Sequence, residues 1–192
     1  MGGIYKLATR TAEATKVSQL TIPLQGNVFG VDFNPAANAL RVISDTGQNL
    51  RHSFAMAPPG PTTADGTLNY EGVTAMGVNA AAYTNNDLDV NTATTLYDVD
   101  SNLDQVVIQA PANQGDLSPT GKLGNVNPRS PAGFDIYSTV QGGTTVAVDG
   151  FATLIGGTNF RLFKITLFTG KATGQGRFDR AVSDIAIKLN QR

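Results

Sequence analysis

Four oxygen-bearing side chains at alternate positions, Asp98, Asp100, Asn102 and Asp104, have the spacing best suited to chemistry in this chain. Hard carboxylate and amide oxygens placed this way suit Ca²⁺. They close an acidic stretch that opens with Asp87 and Asp89, and no Lys or Arg lies between Arg51 and Lys122. The glycine and distal glutamate of an EF-hand loop are absent, and the same residues fall where a hairpin turn is expected. A solvated acidic edge therefore competes with a Ca²⁺ site, and Ca²⁺ is the only cofactor the sequence suggests. A second set is Asp32, Asp135 and Asp184, which recur in Gly30-Val31-Asp32-Phe33, Gly133-Phe134-Asp135-Ile136 and Ser183-Asp184-Ile185. Carboxylates converging on one axis could bind a cation or a polar ligand. A pair about 5 to 9.5 Å apart could also act on a glycosidic bond. The structural alternative is that each accepts hydrogen bonds pinning one unit to the next.

Other motifs carry less. Asp45-Thr46-Gly47 has the aspartic-protease triplet, but one copy supplies one carboxylate and Asp-x-Gly is ordinary turn chemistry. His52 is the only histidine, which leaves little for a triad or a polyhistidine metal site, and it is expected as a partly exposed strand residue. No serine sits in a Gly-x-Ser-x-Gly elbow. Gly170, Gly174 and Gly176 lack the helix and the Lys-Ser/Thr of a phosphate loop.

These residues are positioned by a repeat. Ile4-Tyr5-Lys6-Leu7, with Ala14-Thr15 following, returns 158 residues later as Leu162-Phe163-Lys164-Ile165 with Ala172-Thr173. Asp135 follows Asp32 by 103 residues and Asp184 follows it by 152, which gives a unit of about 51 to 53 residues. Period-two alternation places strands near 28–34, 39–44, 49–54 and 67–70 in the first unit. The second has 80–84, 94–99, 104–109 and 118–123, and the third has 133–138, 144–148, 160–167 and 172–177. Pro58, Pro59 and Pro61 exclude a central strand between the last two of the first unit. Short strands at this period indicate an all-β propeller of about four blades in a single domain over 1–192. The repeat units cover roughly 21–75, 76–128 and 129–178. A composite blade closes the ring, its inner strand from 182–189 and its outer pair from 5–9 and 14–20. The second strand of that blade has no sequence to supply it, so the alternative is a truncated five-bladed parent.

Phe29-Gly30-Val31-Asp32-Phe33-Asn34-Pro35 and the stretch Leu40-Arg41-Val42-Ile43-Ser44-Asp45-Thr46-Gly47-Gln48-Asn49-Leu50-Arg51 resemble a bacterial family catalogued as domain of unknown function 4394. Ala81-Ala82-Tyr83-Thr84-Asn85 and Thr95-Leu96-Tyr97-Asp98-Val99-Asp100 extend the resemblance over nearly the whole chain. It implies a secreted propeller-type protein and supplies no catalytic residues. Some relatives resemble cyanobacterial water-stress proteins of the polysaccharide sheath. Family members carry further repeat sequence before the point matching Gly3, which is why the blade count stays open.

Composition sets the remaining bounds. The 192 residues suffice for one core, charged residues are only 15%, and 21 glycines and nine prolines suit a turn-rich fold. No apolar run is long enough for a membrane-spanning helix. The absence of cysteine tilts towards an exported protein, extracellular or periplasmic, though no signal peptide is present in this sequence. Residues 1–20 and 161–192 together carry +7, and residues 21–160 carry −8. This polarity favours a homo-oligomer or filament, or an acidic polysaccharide on the basic side at Lys6, Arg161 and Lys164. Nucleic acid is not indicated, since the basic residues form no recognisable motif. Without tryptophan, sugar stacking would rest on tyrosines alone. The sequence thus reads as a non-catalytic, exported binding or structural propeller. A glycan-active enzyme using inner-strand carboxylates and a Ca²⁺-stabilised module are its rivals.

Overall fold

The computed structural model describes residues 2–85, 92–124, 126, 129–141, 144–156 and 159–188. All its regular elements are strands. A hairpin of β1 (Gly3–Ala8) and β2 (Glu13–Gln19) precedes a first four-stranded sheet. That sheet holds β3 (Phe29–Asn34), β4 (Ala39–Ser44), β5 (Asn49–Ser53) and β6 (Thr62–Ala64). A small hairpin of β7 (Asn69–Tyr70) and β8 (Val73–Thr74) follows. The second sheet is β9 (Val78–Tyr83), β10 (Leu96–Asp100), β11 (Gln105–Gln109) and β12 (Leu117–Lys122). The third is β13 (Arg129–Gln141), β14 (Thr144–Gly156), β15 (Asn159–Ile165) and β16 (Ala172–Arg177). Each large sheet is an antiparallel meander in chain order.

The fourth strand of the first sheet is 62–64 rather than 67–70. It starts directly after Pro61, where an edge strand needs hydrogen bonds on one side only. Asn69–Tyr70 instead folds back on Val73–Thr74 across Glu71 and Gly72, at φ of 50° and 85°. Two successive positive φ values are the geometry that matches hairpin twist.

The three first strands lie side by side, β3 beside β9 and β9 beside β13. Apolar side chains fill the spaces between sheets. Ile43, Leu68, Val78 and Val107 pack between the first and second sheets, and Val99, Val106, Phe134 and Leu154 between the second and third. Leu20, Val42 and Leu50 join the β1–β2 hairpin to the first sheet. Close approach of the inner strands needs glycine. A Cβ on Gly30 would stand 2.7 Å from the Ala80 Cα, and one on Gly133 would collide with the Asp184 backbone. Hydrogen bonds across the seams keep the repeat's spacing: Asp32 to Tyr83 spans 51 residues, Asn85 to Ser138 spans 53, and Asp135 to Ile187 spans 52.

The hairpin repeat is reproduced in register. Leu7 faces Ala14 and Lys6 faces Thr15, a bulge follows Tyr5, and Ile4 faces Ser18. The third sheet has Ile165 facing Ala172 and Lys164 facing Thr173, a bulge beside Phe163, and Leu162 facing Gly176, each 158 residues on. β1 is therefore the structural counterpart of β15, the third strand of a complete sheet.

The C-terminal strand expected over 182–189 does not form: residues 182–188 pair in no ladder, and Leu189 lies outside the described residues. Ile185 and Ile187 instead line an apolar groove with Phe151, Leu162 and Phe178 of the third sheet and its C-terminal extension. The expected composite sheet is likewise not formed, since among the described residues β1 pairs with β2 alone. Among the described residues no second strand stands between 182–188 and β1. An inner strand joins its sheet only through a second strand, which is present in the three complete sheets.

Candidate functional site

The inner-strand carboxylates are built into the seams between sheets. Asp32 accepts from its own neighbour Phe33 N–H at 2.7 Å and from Tyr83 N–H of β9 at 2.5 Å. Asp135 repeats the arrangement with Ile136 N–H at 2.7 Å and Ile187 N–H at 2.5 Å. Asp184 accepts from Ile185 N–H at 2.9 Å and is reached by Phe134 N–H. Burial raises all three carboxyls above the ordinary range, opposed by these N–H donors. Asp32 reaches about 7, with the charges of Asp135 and Asp184 adding to the effect. In the second unit, which has alanine at the aspartate position, the Ser138 hydroxyl receives Asn85 N–H in their place.

A denser polar knot joins the first and second sheets. Arg41 alternates on β4 with Ala39 and Ile43, on a face that is otherwise apolar, and is fully buried. Its Nη1 donates to Asp65 Oδ2 at 2.6 Å and to Asn49 Oδ1 at 2.9 Å. Its Nη2 donates to Asn113 Oδ1 at 2.7 Å, and its Nε to the Tyr83 hydroxyl at 3.2 Å. Arg51 holds the other oxygen of Asp65 at 3.1 Å. Asn49 Nδ2 donates to the carbonyls of Gly66 and Ala112. Four segments distant in sequence meet on one guanidinium. The cue in the sequence is a charged residue inside an apolar stripe, which periodicity reading treats as noise.

Beside this knot Asp98 is completely buried on β10, and neither carboxyl oxygen has a hydrogen-bond partner. Desolvation drives its pKa well upward, only partly opposed by the Arg41 charge. The remaining members of the oxygen series are turn-formers. Asp100 Oδ1 accepts from Asn102 N–H and Leu103 N–H, and its Oδ2 accepts from the Tyr70 hydroxyl. Asn102 Nδ2 donates to the Met76 carbonyl, and Asp104 holds φ of 52°. This is an Asx turn closing β10–β11. Among the described residues no three His, Cys, Asp or Glu side chains are grouped to hold a metal ion. Asp87 and Asp89 lie outside the described residues. Asp45-Thr46-Gly47 is a turn in which Gly47 N–H donates to the Ser44 carbonyl and Asp45 accepts from Asn27 N–H.

His52 is buried rather than partly exposed. The β1–β2 hairpin covers it, bringing Ser18 Oγ to 2.8 Å from Nε2, while Thr62 Oγ1 stands 3.0 Å from Nδ1. Thr62 Oγ1 also accepts from Thr21 N–H at 2.9 Å. Its hydroxyl proton is thus free for Nδ1, which leaves Nε2–H to donate to Ser18. Burial lowers the His52 pKa. The unfolded chain takes up a proton near its ordinary value of about 6.5 while the folded state resists it, so stability falls as pH drops through that value. Acidification from pH 7 to 5 is expected to lower the melting temperature by about 2–4 °C through this residue. His52→Gln should remove that slope; an unchanged slope would assign it elsewhere.

Of the basic candidates, Lys6 is on β1, and Arg161 and Lys164 are both on β15. Lys164 pairs with Asp149 at 2.7 Å. Lys6, Arg10, Lys16, Arg161, Lys171, Arg177, Arg180 and Lys188 are all exposed, while the side chains of Asp65, Asp98 and Asp100 are buried and those of Glu13, Glu71, Asp179 and Asp184 are exposed. No helix of the described residues is long and apolar enough to cross a membrane. A family model described as a domain of unknown function, DUF4394, matches residues 1–186. No curated protein matches the chain.

Proposed function

The chain belongs to the DUF4394 family, and from that premise we propose that it is an exported, non-catalytic β-propeller of about four units that binds anionic polysaccharide. The carrying observation is the exposed basic surface at both ends of the chain: every described Lys and Arg of 1–20 and 161–188 is exposed, while Asp65, Asp98 and Asp100 of the acidic middle are withdrawn from water. The propeller arrangement is supported by adjacent inner strands at a spacing of 51 to 53 residues and by the shared register of the β1–β2 and β15–β16 hairpins. A non-catalytic role is supported by the carboxylates of Asp32, Asp135 and Asp184, whose oxygens accept backbone N–H groups at the seams.

Oligogalacturonate is a suitable probe. Binding is expected at about 20 mM salt and to weaken by roughly tenfold at about 300 mM, because exposed charges are screened beyond a Debye length. Arg161→Glu and Lys6→Glu should each weaken it more than Lys164→Glu, whose ammonium is already shared with Asp149. Equal affinity for a neutral glucan, or indifference to salt, would overturn the reading. Self-association is the second mode of the same polarity, and light scattering at both salt concentrations measures it directly.

A further inference from the structure

The outer hairpin of the third sheet sets two arginines against each other. Arg161 of β15 and Arg177 of β16 are direct ladder partners, and both are exposed. Directly opposed residues hold their Cβ atoms about 4.5–5.5 Å apart on one face of a sheet, and like charges placed so are destabilising. Among the described residues neither guanidinium has an ion pair or a side-chain hydrogen bond to relieve it. The fold itself does not require the pair. The β1–β2 hairpin has the same register and the same bulge, and there the corresponding partners are Gly3 and Gln19.

A glycine shapes the surface beside them. The bulge next to Phe163 makes Gly174 its ladder partner, which puts Gly174 on the same face of β16 as Arg177. A Cβ at Gly174 would stand 3.7 Å from Arg161 Nη2. The Arg161 guanidinium therefore leans across onto β16, over a residue with no side chain, and stays on the strand that carries Arg177. Two repelling cations gain nothing from this arrangement, whereas a shared anion would hold both.

We propose that Arg161 and Arg177 form one subsite for a single sulfate ester of the polysaccharide. This rests on the polysaccharide reading and names the acidic group that the surface takes. A guanidinium presents its N–H donors as a planar fork matched to two oxygens. A uronate carboxylate has only two oxygens and is filled by one fork. A sulfate ester has three terminal oxygens, so it accepts from both forks at once and shields one guanidinium from the other.

The test compares a sulfated maltooligosaccharide with an oligogalacturonate of equal charge, each labelled with fluorescein and followed by anisotropy on the full chain at about 20 mM salt. The sulfated probe is expected to bind about tenfold more tightly, the scale of one charge-assisted hydrogen bond. Arg161→Lys and Arg177→Lys each keep the charge and lose the fork, so each should bring the ratio of the two affinities to within about twofold of unity. The double variant should lower the ratio no further, because both residues serve one anion. Lys171→Gln removes an exposed cation outside the pair, and should weaken both probes together with the ratio kept. Equal affinities in the unaltered chain, a ratio that survives either Lys substitution, or a stepwise loss from single to double variant would overturn the proposal. Tighter binding of a single-stranded DNA of equal charge would also overturn it, since the surface would then be one for nucleic acid. Salt-dependent binding of both saccharides without preference removes this subsite alone, and binding of neither removes the polysaccharide reading with it.

Discussion

Arg41→Ala is expected to destabilise the protein by about 3–5 kcal/mol, the range for breaking a buried ion pair from one side. The substitution strands Asp65, a carboxylate only 5% exposed, with the half-exposed Arg51 as its remaining cation. It also leaves Oδ1 of the buried Asn49 without its Arg41 donor, and an unmet buried acceptor costs about 1–3 kcal/mol when no water reaches it. These terms overlap and do not add. Urea denaturation should therefore show a lower midpoint at unchanged slope. Arg41→Met with Asp65→Leu removes both charges together and should recover part of the loss, since the desolvation penalty goes with them. A loss below about 1 kcal/mol for Arg41→Ala would show that water reaches this cluster and that the inter-sheet seam is held by apolar packing alone.

Raising the pH is expected to weaken the fold through Asp98. Its folded-state pKa lies well above the ordinary carboxyl value, because ionisation would place an unpartnered charge among Ala81, Val107 and Leu96. In the window between the unfolded and folded values the native state binds more protons than the unfolded chain, so stability is full below about pH 4 and declines as pH rises. Asp32 acts in the same direction, its contribution declining up to about pH 7. Asp32 is partly exposed, so water screens part of this contribution. His52 acts in the opposite direction at lower pH. Comparing Asp98→Asn with the unaltered chain isolates the term. The variant should gain about 1 kcal/mol or more relative to the unaltered protein between pH 4 and pH 8. A constant difference across that range would mean that Asp98 keeps the same charge in both states.

Much of the local architecture was legible because it is written in short-range patterns. Alternation and turn residues located the strands of the three complete sheets apart from β6, which lies at 62–64 and not 67–70, and the end of β4 at Ser44 and of β16 at Arg177 needed no tertiary information. The 158-residue echo located two hairpins that share a register and a bulge, since a bulge is a property of two adjacent strands. The family was also readable from the sequence, and the match over residues 1–186 bears it out.

The sequence by itself determined the all-β class, the period near 51 to 53 residues, and the ladder partners within each meander, because neighbours along the chain are neighbours in the sheet. Only the tertiary structure decided which polar side chains lose their water. Arg41, His52 and Asp98 differ little in sequence from exposed strand residues, and their burial is set by the 65 and 112–115 loops, the β1–β2 hairpin and the first sheet packing over them. It also decided that residues 182–188 join no ladder. Strand propensity is local, but a ladder needs a partner on its edge, and desolvation depends on segments that the linear pattern does not relate to one another.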